Sequence, residues 1–296
     1  MTVRKKPYLL TGGLSSLLVN RHRVGLSESI SQSLEILEID YALDLGKILN
    51  GYSSSDAYGS FTWEVNLVSG DEIERELRRM VSSARNGRPV VSFDDVYCPD
   101  IADAKYHVTR LMNPSDIAGE TRLGARFCQQ TLEEQVTKLR DTYGCAFDIM
   151  DIGAFEGQTL IGEFQNRFKS IGLEVHNVYL AFAGPEGLDN LKRAGVIPKV
   201  ARILDWVDWV EIRDCVGLDG RKIALEHHSS GTANAFIPYC ENSGKWASIP
   251  PEFQDRFRTM YFEYFDKIRS TLGKEGHNIE LAQSEKYSCV RELRLG

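Results

Sequence analysis

No cysteine pair in this chain carries a CxxC spacing: Cys98, Cys128, Cys145, Cys215, Cys240 and Cys289 stand apart. That scatter argues against a disulfide framework, and the expectation is reduced thiols in a cytoplasmic protein, with Cys145 opening a buried strand. Long apolar runs are also lacking. Leu14 to Val19 is too short to span a bilayer and follows a glycine pair, so neither a signal peptide nor a membrane span is expected. Basic charge is in deficit, with a net charge of −7, which argues against broad coating of nucleic acid. Internal repeats and low-complexity linkers are absent too. What remains is a 296-residue chain, 42% hydrophobic and 26% charged. Such a chain can bury a real core, as one large domain or as a domain of about 150 residues with additions.

The most informative stretch is Cys145 to Leu160, CAFDIMDIGAFEGQTL. Ala146, Phe147, Ile149 and Met150 form an apolar run suited to a buried strand, with Asp151 at its end. Gly153-Ala154-Phe155-Glu156-Gly157 then reads as a turn, and Gln158-Thr159-Leu160 opens a helix. Leu160, Ile161, Phe164, Phe168 and Ile171 make one apolar helical face. A second strand follows over 173–182, so the whole is a βαβ unit, and a parallel sheet is expected. Ligands of such sheets bind beyond the carboxyl ends of the strands. Backbone N–H groups at a helix start favour an anion, and glycine permits close approach. Asp151 is placed to accept hydrogen bonds from sugar hydroxyls. The alternative is an ordinary βα turn with Asp151 as a solvated cap.

This stretch resembles the phosphoribosyl-diphosphate (PRPP) loop of type I phosphoribosyltransferases, in which an apolar strand, two acidic residues, a short turn and a closing Gly-x-Thr follow in order. Asp151 matches the first acid, Gly157 the loop glycine and Thr159 the closing threonine. Two positions depart from the pattern. Ile152 stands at the second acid, and Glu156 stands where a Ser or Thr usually meets the 5′-phosphate. The resemblance implies that Asp151 holds the ribose and that Gly153, Ala154, Phe155, Glu156, Gly157, Gln158 and Thr159 surround the phosphate. By order along the chain, it also implies a diphosphate loop after the strand Pro89 to Asp94. That loop carries Asp94, Asp95, Asp100 and Asp103. Its acidity suits a bound Mg²⁺, held by Asp94 and Asp95, or alternatively simple solvation. Arg110, before a long loop over 113–124, and Arg122, held in that loop, become candidates for diphosphate contact. Trp206 and Trp209, in ILDWVDWVEIR, are candidates for stacking on a nucleobase, or else core residues.

Elsewhere the chain reads in simpler terms. Tyr8 to Thr11 predicts a short strand ending at Gly12-Gly13, a turn that either binds an anion or is a plain loop. Ser27 to Asn50 predicts a helix whose face holds Ile30, Leu34, Leu37, Tyr41, Leu45 and Ile48, widened by Ile36, Ile39 and Leu43. The alternation of Ile39, Tyr41, Leu43 and Leu45 offers a strand as the competing reading. Phe61 to Val68 predicts a strand and Asp71 to Ala84 a charged helix. Lys105 to Met112 predicts another strand, and Thr131 to Tyr143 a helix with a capping box at Thr131 and Glu134. His227-His228 with Cys240 has no fourth ligand for a metal. Pro250-Pro251 starts a helix whose aromatic face (Phe253, Phe257, Tyr261, Tyr264, Phe265) packs on the domain or on a partner chain, so a homodimer or partner protein stays open.

The expected architecture is α/β: a doubly wound parallel sheet of type I phosphoribosyltransferase-like topology over 81–225, a helical hood over 1–80, and a lid with an aromatic helix over 226–296. The resemblance implies Mg²⁺-assisted transfer of a phosphoribosyl group from PRPP to a nitrogenous acceptor. Two alternatives keep the same fold: a non-catalytic nucleotide-sensing module, and a hydrolase of nucleotide N-glycosidic bonds.

Overall fold

The computed structural model describes residues 4–21, 23–50, 54–56, 59–94, 96–112, 122–126, 129–205, 208–216, 223–226, 233–236, 240 and 243–277. In chain order, the elements used below are β1 (Arg4–Thr11), α1 (Leu14–Ser16), α2 (Glu28–Asn50), β2 (Ser54–Asp56), β3 (Gly59–Val68), α3 (Gly70–Ala84), β4 (Val90–Ser92), β5 (Ala104–Lys105), β6 (Val108–Met112) and β7 (Arg122–Ala125). They continue as α4 (Leu132–Tyr143), β8 (Ala146–Ala154), α5 (Gln158–Gly162), β9 (Glu174–Ala183), α6 (Pro185–Arg193), β10 (Ile197–Ile203), β11 (Asp208–Glu211), α7 (Ile212–Cys215), α8 (Ser243–Trp246) and α9 (Gln254–Gly273). The chain divides into two units. One comprises residues 1–70, 206–223 and 235–296, the other residues 71–205 and 224–234.

The second unit is built on a five-stranded sheet of order β10-β9-β8-β4-β5. Every pairing in it is parallel. The expected βαβ unit is its centre, with residues 158–171 crossing from β8 to β9. That crossover is not one regular helix. It runs as α over Gln158–Gly162, as π over Glu163–Phe168 and as 3-10 over Lys169–Ile171. The wider π turn brings Glu163, Phe164 and Phe168 all inward, each at most 2% exposed. Phe164 and Phe168 join Phe93, Tyr106 and Phe147 in an aromatic core. The single strand expected over 105–112 divides into β5 and β6, and β6 pairs antiparallel with β7. Helix α4 starts on the expected capping box: Glu134 N–H donates to Thr131 Oγ1, and Glu134 accepts from the Thr131 backbone N–H at 2.9 Å.

The first unit is not a helical hood alone. Strands β1, β3 and β11 make a second parallel sheet, with β2 antiparallel at its edge, in the order β11-β1-β3-β2. Parallel neighbours need a crossover, and the 23-residue α2 supplies it between β1 and β3. Helix, not strand, is therefore the outcome over 39–45. Ile30, Leu34, Tyr41, Leu45 and Ile48 are buried as expected, but Ile36, Ile39 and Leu43 are 58%, 46% and 59% exposed. At ~100° per residue, Ile36 lies on the far side of the helix from Leu34, so these residues do not widen the buried face. The aromatic face of α9 packs within the chain. Tyr264 meets Tyr41 edge-to-face at 5.0 Å, and its hydroxyl donates to Asp44 Oδ2 at 2.8 Å.

Among the described residues, no helix is long and apolar enough to cross a membrane. The four described cysteines, Cys98, Cys145, Cys215 and Cys240, are free thiols. Cys145 precedes β8 and is exposed rather than opening a buried strand.

Candidate functional site

Two glycine turns follow parallel strands in this molecule, and what each one holds separates them. After β1, the Gly13 and Leu14 N–H groups both donate to Glu38 Oε1, at 2.7 Å each, in a buried setting. Gly12 N–H donates to Val68 O. A Cβ at Gly12 would run into the Glu38 carboxylate and force it to shift from the amides it holds. The anion at the Gly12-Gly13 turn is thus the chain's own glutamate, reaching in from α2.

The second turn follows β8. The strand outlasts Asp151, because Gly153 and Ala154 continue the parallel ladder opposite Phe182 and Ala183. The turn shortens to Phe155-Glu156-Gly157, and Asp151 sits inside the strand opposite Leu180 rather than at its tip. Asp151 is half-buried, and its Oδ1 accepts the Ile152 N–H at 2.8 Å. Gly157 takes a left-handed conformation, φ +72°, and enters α5 without a side-chain cap. The N–H groups that open a helix are the natural partners of an anion at such a start. Ile152 is 3% exposed and belongs to the core, whereas Glu156 is exposed on the turn. Thr159 is half-buried in the first turn of α5; Gln158 is the residue before it.

The turn is held from behind by α6. Gly184 N–H donates to Ala154 O at 3.1 Å, and Asn190 Nδ2 donates to Glu156 O at 3.0 Å. A Cβ at Gly187 would come within 2.6 Å of Phe155 O. The loops after two adjacent parallel strands therefore pack backbone on backbone.

The other expected residues scatter. Asp94 is 5% exposed and folds its Oδ1 onto the Val96 N–H at 2.7 Å; Asp95 lies outside the described residues. The remaining acids of that loop are committed to arginines of the preceding helix and turn. Asp100 receives both Arg78 terminal nitrogens at 2.6 Å, and Asp103 Oδ2 takes Arg85 at 2.5 Å and the Val90 N–H at 2.7 Å. Among the described residues, no three His, Cys, Asp or Glu side chains are grouped to share a metal ion. Arg110 lies on β6 opposite Leu123, and Arg122 on β7 opposite Leu111. Trp209 belongs to the first unit, on β11 beside β1, where its Nε1 donates to Thr11 Oγ1 at 3.3 Å. Trp206, His227, His228 and residues 113–121 lie outside the described residues.

Two buried polar groups escape sequence reasoning. Asp148, fully buried in β8, accepts from Arg88 Nε at 3.0 Å, the Asn177 backbone N–H at 3.1 Å, Asn177 Nδ2 at 3.0 Å and the Tyr179 hydroxyl at 3.0 Å. Burial, then the Asp148 charge, pushes the Tyr179 phenol up to about 12. Glu163, 1% exposed, accepts from Tyr106 OH and from Arg167 Nε. Burial pushes its carboxyl above the ordinary range, although Tyr106 and Arg167 pull the other way. A lone acid in an apolar run was the only signal for Asp148. It lies near the amino end of β8, roughly 20 Å along the strand from the turn at ~3.3 Å per residue, so it anchors the sheet rather than the site.

No family model matches this chain, and no curated protein matches it in sequence.

Proposed function

We propose that this protein binds PRPP or a nucleotide at the β8–α5 turn and transfers a phosphoribosyl group to a nitrogenous acceptor, in the manner of a type I phosphoribosyltransferase. One observation carries the reading: the turn at the carboxyl end of a central parallel strand enters a helix through a left-handed glycine with no side-chain cap. The equivalent turn after β1 already holds a carboxylate. Asp151, three residues before the end of β8, is the acid proposed to accept the ribose hydroxyls. The antiparallel β6–β7 pair, carrying Arg110 and Arg122, supports a topology like that of the family. Transfer of this kind passes through an oxocarbenium-like state, so fixed dipoles and exclusion of water count for more than a strong nucleophile.

A Mg²⁺ accompanying the diphosphate needs only one or two protein carboxylates beside the phosphate oxygens. Asp94 and Asp95 are the acids proposed for it, and no step of the reaction is routed through them.

One observation favours a second reading. Ile152, at the position of the family's second acid, is built into the core. A carboxylate cannot be recovered there by a rotamer change, which favours a nucleotide-sensing module that binds without turnover. Incubation with PRPP, Mg²⁺ and a panel of nitrogenous bases separates the two. Release of pyrophosphate supports transfer; saturable binding with no pyrophosphate supports the sensor; neither outcome removes both.

A further inference from the structure

The outer face of α2 carries an apolar row that lies open in the first unit. Ile36, Ile39 and Leu43 are 58%, 46% and 59% exposed, while Ile30, Leu34, Tyr41 and Leu45 are buried on the opposite side of the helix. Seven residues make close to two full turns at ~100° per residue. Ser29, Ile36 and Leu43 therefore stand in one line, with Ile39 beside it. The foot of that line is where α9 ends. Ser27 Oγ donates to Glu275 Oε1 at 2.5 Å, and Ser29 Oγ lies 3.5 Å from the same oxygen. Glu275 stands just past α9, and residues 278–296 follow it in the chain. We propose that residues 278–296 pack along the outer face of α2 as a strap and cover Ile36, Ile39 and Leu43.

Reach, charge and area favour this occupant. From Ser29 to Leu43 the row is ~21 Å long at ~1.5 Å per residue, and residues 278–296 span that distance even as a helix, at ~28 Å. The row is bordered by the exposed acids Glu35 and Asp40, and the one lysine of α2, Lys47, is taken by Asp44 at 2.8 Å. Residues 286–295 bring Lys286, Arg291 and Arg294 with a single acid, Glu292, and the apolar Tyr287, Val290, Leu293 and Leu295. A second copy of the chain fits less well. Pairing α2 with itself sets Glu35 and Asp40 against the same acids, and like charges repel. A stable pair also buries ~800 Å² on each partner, far more than three half-exposed side chains offer. A tethered segment needs less, because its linkage holds it at an effective concentration on the order of millimolar. From its opposite face α2 carries Glu38 to the turn after β1, so the strap steadies the helix that closes that turn.

The test uses the full chain and two readouts. In the first, benzoylphenylalanine replaces Ile39, the protein is irradiated, and cross-linked peptides are mapped by mass spectrometry. In the second, trypsin cleavage after Lys286 and Arg291 is timed in the wild type and in the double substitution Ile36→Ser with Ile39→Ser, which leaves the buried face of α2 untouched. Cross-links to residues 278–296 within a single chain are expected. Cleavage should be at least fivefold slower in the wild type than in the double variant. If the double variant fails to fold, Leu293→Ser, which alters the segment alone, takes its place with the same expected acceleration. Cross-links between two chains would give the row to a second copy and overturn the proposal. Absence of cross-links to residues 278–296 overturns it as well, and so does cleavage at equal rates in the wild type and the variant. In that case the row is left for a different protein.

Discussion

Glu38 Oε1 and the Gly13 amide nitrogen are 2.7 Å apart, and the Leu14 amide lies at the same distance from the same oxygen. A side chain from the middle of α2 thereby closes the turn that follows β1. Glu38→Ala leaves two buried N–H groups without their acceptor, at ~1–3 kcal/mol for each donor left unsatisfied. Glu38→Gln retains an acceptor oxygen and should lose less. Urea unfolding of the three proteins checks the order, and equal stability of wild type and Glu38→Ala would show that water replaces the carboxylate at no cost.

Asp148 gathers Arg88, Asn177 and Tyr179 around one fully buried carboxylate. Removing one member of a buried charged set strands the rest, at ~3–5 kcal/mol. Asp148→Ala is expected to lose stability in that range while any ligand affinity that survives in the folded fraction stays near wild type. A large loss of affinity with unchanged stability would move Asp148 from the scaffold to the site.

Glu163 sets a pH dependence of a stated sign. Its folded pKa is raised by burial, so the folded state holds its proton more tightly than the unfolded chain does. The stability this contributes is fully present below the unfolded carboxyl value, about 4.3, and is lost as pH rises from there through the raised value. Asp44, lowered by its bonds to Lys47 and Tyr264, and Asp100, lowered chiefly by its bond to Arg78, act in the opposite sense at the acid end. The difference in unfolding free energy between wild type and Glu163→Gln, followed across that window, should therefore decline with pH. A flat difference curve contradicts this.

Local patterns carried most of the second unit. The apolar run, the glycine turn and the helical spacing after Leu160 were enough to place β8, its crossover and β9 in one parallel sheet, and Thr131 with Glu134 marked the start of α4. Features that depend on distant partners were not legible. Asp100 and Asp103 read as part of an acidic loop, suited to Mg²⁺ or simply solvated, while α3 and its end bring Arg78 and Arg85 against them. Residues 208–211 read as a late strand of the same core, yet they pair with β1, some 200 residues earlier. Asp151 read as a strand tip because glycine usually ends a strand; pairing with Phe182 carries the ladder through Gly153 regardless.

Glu156 tests the anion at the turn from the side of repulsion. Its side chain is exposed, and its carbonyl is held by Asn190. Replacing it with Thr removes one negative charge beside the proposed phosphate position, so Glu156→Thr should tighten PRPP binding several-fold, for a near-surface repulsion on the order of 1 kcal/mol. Raising the salt concentration should shrink the difference. Weaker binding in Glu156→Thr would mean that this carboxylate serves a ligand of a different charge.

The most direct measurement is calorimetric titration of PRPP, with Mg²⁺, into wild-type protein and into Asp151→Asn. Charge-assisted bonds to two ribose hydroxyls contribute roughly 1.5–3 kcal/mol each. The substitution keeps the shape and removes the charge, so a loss of ~1.4 kcal/mol or more, tenfold or more in affinity, is expected. The melting temperature without ligand should move little. Saturable binding to the wild type, weakened at least tenfold in a folded Asp151→Asn protein, is the result predicted. Absence of binding to the wild type, or equal binding to both proteins, would contradict a phosphoribosyl site at the β8–α5 turn.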